Sequence, residues 1–306
     1  MTASTTTITA THGKKWITAI AGLAAGVCAG QAHALDVEVE VTNVGPTGGV
    51  FVTPLWVGFH DGGFDSYNAG QPVQEGLERI AEDGATGTLS ADFLSGYTYI
   101  DAGTSARVLT AQTTGRVDGT IASPSGPPPI APGETVSQAF AIDALGANRY
   151  FSYASMVLPS NDYFIANGNP TAHDLSSLEG APVGTEITFF IGTTVNDAGT
   201  EVNDFAFSAA NGLFPQLNIG TGQGGPNTGT DENGVVSAVA GADPFAGFLN
   251  QPAGFGADPD TDAIDFNDAA LYPNGLARVT VRVVPEPASL AMLGVAGLGV
   301  LRRRRR

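Results

Sequence analysis

The side chains that could do chemistry in this chain are almost all carboxylates. The densest set is Asp258-Pro259-Asp260-Thr261-Asp262, followed by Asp265 and Asp268. Hard oxygen ligands at loop positions suit Ca²⁺, and the run opens like an EF-hand loop. Its sixth position is Ala263 where that loop needs glycine, and its twelfth is Ala269 where it needs a bidentate glutamate. The run therefore reads as a solvated acidic loop or an accessory cation site, and not as an EF-hand. Beyond the first 34 residues the chain keeps two histidines, His60 and His173. His60-Asp61 has the residue types of part of a catalytic triad, although a surface histidine beside a turn aspartate is the commoner arrangement. The sequence holds no Gly-x-Ser-x-Gly elbow, no His-Glu-x-x-His and no phosphate-cradling glycine loop. Its one cysteine, Cys28, lies in the N-terminal apolar run. Paired carboxylates could serve a glycosidase, but the absence of the other motifs points away from an enzyme.

These side chains must be held by strands. Leu35-Asp36-Val37-Glu38-Val39-Glu40-Val41 places every apolar residue on one face, and Ala277-Arg278-Val279-Thr280-Val281-Arg282-Val283 does the same near the other end. Period-two alternation is the mark of a half-buried strand. Between them lie further strand-like runs at Gly49 to Phe59, Ala106 to Thr113, Val136 to Ile142, Tyr150 to Leu158 and Glu186 to Gly192. Clusters of Gly, Pro, Asn and Asp separate these runs, as turns require. One segment has helical spacing: Val73, Leu77, Ile80 and Ala81 within Pro72 to Glu82, with Gly84 as a stop. The pattern predicts an all-β fold, a β-sandwich carrying one short helix, in a single domain over residues 35–284.

Both ends read as sorting signals. Lys14 and Lys15 precede an apolar run from Trp16 to Cys28, and Ala32-His33-Ala34 forms a small-x-small cleavage site. The run is about 13 residues, short of the roughly 20 that span a bilayer as a helix, so residues 1–34 are expected to be a signal peptide. At the other end, Val284-Pro285-Glu286-Pro287 leads into an apolar stretch from Ala288 to Leu301 and then Arg302 to Arg306. Such a stretch enters a membrane, and the arginines hold its tail on the cytoplasmic side. Residues 285–306 resemble the PEP-CTERM sorting signal of Gram-negative bacteria. The resemblance implies processing by a membrane exosortase and delivery to the cell surface or the exopolysaccharide matrix.

Without these ends the charge balance changes. The whole chain has a formal net charge of −17, but residues 35–284 hold 29 acidic residues against six arginines and no lysine, near −23. Such a surface has no basic patch for nucleic acid or anionic lipid, and its small partners are cations. With no cysteine in this stretch, disulfides cannot stabilise the domain. About 250 residues suffice for one sizeable core.

Several blocks, in order, resemble the spondin domain: Thr53-Pro54-Leu55, His60-Asp61-Gly62, Ala69-Gly70-Gln71-Pro72, Leu77 to Gly84, Ser155 to Asp162, Asp197-Ala198-Gly199-Thr200-Glu201 and Leu276 to Val281. The resemblance implies a C2-like antiparallel β-sandwich with one divalent-cation site, taking Ca²⁺. Matched to this sequence, the family's metal ligands are Asp143, Asp162 and Asp197. Each of the three has a plainer use as a turn-capping aspartate. Three carboxylates brought together without a cation would repel one another, and their ionised forms would be disfavoured. The expectation is a secreted or surface-displayed calcium-binding module for adhesion or the biofilm matrix, with exopolysaccharide or surface proteins as partners and the membrane engaged only through the sorting helix. A secreted polysaccharide hydrolase and a purely structural matrix protein are the rival expectations.

Overall fold

A computed structural model describes residues 34–99, 107–109, 115–124, 129–203, 230–240 and 262–286. The expected signal peptide, the sorting helix, Asp258 and Asp260 lie outside the described residues.

The chain opens with β1 (Leu35–Asn43), β2 (Phe51–Val52) and β3 (Leu55–His60), followed by α1 (Glu75–Asp83), α2 (Gly87–Leu94), β4 (Tyr97–Tyr99) and β5 (Arg107–Leu109). β6 (Val117–Ile121), β7 (Thr135–Ile142), β8 (Tyr150–Leu158) and β9 (Tyr163–Ala166) come next. β10 (Glu186–Ile191), β11 (Asn196–Asp197), β12 (Ser237–Ala238) and β13 (Ala277–Val283) complete the described strands. One sheet has the order β10-β13-β1-β7. The other runs β12-β11-β9-β8-β3-β6, with β2 added alongside β8, and β4 and β5 form a separate ribbon. All the strand pairings are antiparallel.

The alternation of β1 and β13 is used as the sequence predicts. Val37, Val39 and Val41 are buried while Glu38 and Glu40 lie at the surface side, and Val279, Val281 and Val283 fill the same layer. This face meets the second sheet: Phe59 of β3 lies 5.0 Å from Phe140 of β7, and Phe151 of β8 lies 5.3 Å from Phe189 of β10, ring centre to ring centre. Aromatic pairs at such distances contribute beyond the area they bury.

β3 and β8 are buried along nearly their whole length, on both faces. Leu55, Val57 and Phe59 point into the sandwich, whereas Trp56 packs on the other side with Leu77, Ile80, Leu89 and Phe93. The helices therefore form a third layer over the outer face of the second sheet. α1 begins at Glu75, later than the predicted Pro72, and ends where Gly84 takes a left-handed conformation with φ of 66°. α2 is a second helix where one was expected. It is anchored by Leu89 and Phe93, one turn apart on one face.

The registers fix which strand ends share a pole of the sandwich. Val37 faces Val283, Leu35 faces Ile142, and the Val284 N–H donates to the Asp36 carbonyl at 3.0 Å. The chain thus enters and leaves the described sandwich side by side. At the other pole, Asn43 donates to the carbonyls of Val50 and Ile130, both at 3.0 Å, and Ile130 bridges Val52, the partner of Val157 near the end of β8.

Candidate metal centre

The turn between β8 and β9 is set by Ser160. Its Oγ donates to the Val157 carbonyl at 2.6 Å and accepts the Tyr163 N–H at 2.9 Å. This arrangement turns Asp162 inward, where it is fully buried. Asp162 Oδ2 accepts the N–H groups of Thr200 and Glu201, each at 3.1 Å, with the Thr200 hydroxyl at 3.4 Å. Its other oxygen, Oδ1, has no hydrogen-bond partner.

Asp197 is brought beside it by strand pairing, with Asp197 opposite Tyr163 and Asn196 opposite Phe164. The Ala198 N–H donates to the Asp162 carbonyl at 3.2 Å and closes the junction. Asp197 Oδ1 accepts the Gly199 N–H at 2.7 Å, and Oδ2 accepts from Asn203 Nδ2 at 2.5 Å. On the other side, Asn161 Nδ2 donates to the Val202 carbonyl at 2.8 Å. Asn161 Oδ1 and Asn203 Oδ1 are buried and, like Asp162 Oδ1, lack a partner.

Burial pushes the Asp162 carboxyl well above the usual carboxylate range, and the charge of Asp197 pushes it further, against the two N–H donors. Tyr163 is raised by burial and then by the charges of Asp197 and Asp162. The junction is thus an oxygen-lined place around one buried carboxyl, and it disfavours negative charge there as it stands. A cation would relieve both the repulsion and the unpartnered oxygen, so the residues fit a divalent ion.

The third expected ligand does not reach this place. Asp143 follows β7 and caps its own turn: its N–H donates to Asn148 Oδ1 at 2.9 Å, and its Oδ1 accepts the Gly146 N–H at 3.0 Å. Asn148 in turn donates to the carbonyls of Phe59 and Gly115, at the pole where β8 begins. β8 spans roughly 25 Å at the usual rise of a strand, which separates Asp143 from Asp162 beyond its far end. Among the described residues, no three His, Cys, Asp or Glu side chains are grouped to hold one ion.

The other sequence candidates have local uses. Asp265 Oδ1 accepts the Asn267 N–H at 3.0 Å and Asp268 Oδ1 accepts the Ala270 N–H at 2.7 Å, both capping turns. With Thr193, Thr194 and Asn267 these two aspartates line an open cleft of about 560 Å³. His60 is buried, with Nε2 at 2.8 Å from Ser152 Oγ. Its Nδ1 accepts the Gly62 N–H at 3.0 Å, while Asp61 caps the Gly63 N–H instead of orienting the imidazole.

Compared with known protein families, residues 283–306 match the PEP-CTERM protein-sorting motif. The chain ends in a PEP-CTERM signal. It marks an exported protein, sorted by an exosortase and associated with the cell surface or membrane through its C-terminus. The PEP-CTERM motif begins on the last residue of β13, at the pole shared with Asp143 and opposite Asp162. No curated protein matches the chain, and nothing found in these comparisons supports the spondin resemblance. The asparagines at the junction were not singled out from the sequence: asparagine beside a turn is ordinary, and only the folded arrangement shows their oxygens unpartnered.

Proposed function

We propose that this protein is an exported, surface-directed β-sandwich module that binds one Ca²⁺ at the Asp162–Asp197 junction and works in adhesion or in the exopolysaccharide matrix. The observation that carries the cation is the fully buried Asp162, whose Oδ1 has no partner while Asp197 stands beside it. A buried carboxylate oxygen without a donor is expensive unless a cation meets it. All the side-chain oxygens offered there are hard ligands, which suit Ca²⁺ over softer metals. The surface role rests on the PEP-CTERM motif and the acidity of residues 35–284, and the calcium role also draws on the spondin resemblance.

Thermal melting in EDTA and then in millimolar Ca²⁺ tests this. Extracellular calcium modules bind at about 10⁻⁴ to 10⁻³ M, so calcium at tenfold excess adds about 1.4 kcal/mol and raises the melting temperature. An unchanged melting curve would overturn the cation site and leave a purely structural matrix protein. Turnover of a polysaccharide, lost in Asp162→Asn without loss of fold, would favour the hydrolase.

A further inference from the structure

We infer that Asn161 and Asn203 complete the cation site, supplying neutral amide oxygens in place of the third carboxylate. The inference rests on the calcium reading above. Each asparagine already uses its nitrogen inside the protein: Asn161 Nδ2 on the Val202 carbonyl, Asn203 Nδ2 on the Asp197 carboxylate. Rotating either amide by half a turn would set its oxygen against an acceptor, so the neighbours dictate which atom points where. The two oxygens left over are both buried and both without a partner, as is Asp162 Oδ1. Asn161 adjoins Asp162 in sequence, and its bond to Val202 brings it to the residue preceding Asn203. A hard cation is one remedy that all three unpartnered oxygens have in common.

The ligand set would then be two carboxylates and two amides, a charge of −2 that balances one divalent ion without adding a third repelling group. Side-chain amide oxygens are ordinary Ca²⁺ ligands, whereas Zn²⁺ and Cu²⁺ favour nitrogen and sulfur. The asparagines thus set the metal preference as well as filling the site.

Calcium titration of the full chain by calorimetry tests this, with melting in EDTA run in parallel for each variant. Asn161→Ala and Asn203→Ala should each weaken binding at least about tenfold, the lower bound for residues that merely support metal ligands. Asp162→Asn should weaken it further. Asn203→Asp restores an oxygen and adds charge, so it should bind calcium at least as tightly as the parent while melting lower in EDTA, where it faces Asp197 unshielded. Calcium binding by the parent that is unchanged in both alanine variants would overturn the inference and leave the calcium reading standing. If an alanine variant does not fold, Asn203→Asp decides alone: weaker binding than the parent overturns the inference. No calcium binding by the parent at millimolar concentration overturns both.

Discussion

Buried histidines contribute to how the domain responds to acid. His60 has its pKa lowered to about 4 by burial and then by the nearby Arg116 charge. Protonating it would also cost the acceptor that Nδ1 offers to Gly62. In the unfolded chain the same imidazole titrates near 6.5. The stabilisation is therefore complete above pH 6.5 and is lost as pH falls toward 4, because the unfolded state takes up the proton first. Between pH 7 and pH 5, a window above ordinary carboxylate titration, His60 should remove about 2 kcal/mol of stability. His173, also lowered to about 4 by burial, acts in the same direction. Asp162, whose carboxyl pKa burial raises, acts in the opposite direction over this window, so urea unfolding at the two pH values reads the balance, and His60→Gln should remove the histidine's own share of the slope. At this scale the sequence was only partly informative. Asp162 and Asp197 were picked out by their blocks, but Asp143 was grouped with them although β8 lies between it and Asp162. A strand between two residues puts them at opposite poles, a constraint that the linear order already contained.

At the scale of elements, the strands were legible where one face is solvent and less so where neither is. β1 and β13 show clean alternation because glutamate, threonine and arginine occupy their outer sides. β3 and β8 read as strands, but their second apolar face was not recognised as a demand for a covering layer. α2 met that demand and was missed. With Gly87, Thr88 and Ser90 in its first turn and only Leu89 and Phe93 buried, it offers two anchors and no periodic stripe. α1 was legible because its apolar stripe and its stop at Gly84 agree. That glycine holds φ at 66°, and a Cβ there would sit 2.9 Å from Thr53 Cβ. Gly84→Ala should therefore lower unfolding free energy by about 1–2 kcal/mol from the left-handed backbone alone, with the Thr53 contact adding to it. Chemical denaturation measures this, and a loss below the conformational cost would show that the helix end relaxes without effect on the core.

The whole molecule is organised by its two poles. The described sandwich receives the chain at Leu35 and releases it at Val283 on one pole, while the Asp162 junction occupies the other. A chain ending at Val284 should be recovered from the medium, whereas the full chain is retained with the cell envelope until its PEP-CTERM signal is processed; immunoblotting of the two fractions checks this. Equal release of both would contradict sorting through the C-terminus. The β1–β13 ladder then acquires a mechanical meaning. A pull between the C-terminal tether and anything gripped at the Asp162 pole runs along the axis of β13, across hydrogen bonds that lie perpendicular to it. The strand is loaded in shear, so its bonds to β1 and β10 resist together and do not open one after another like a zip.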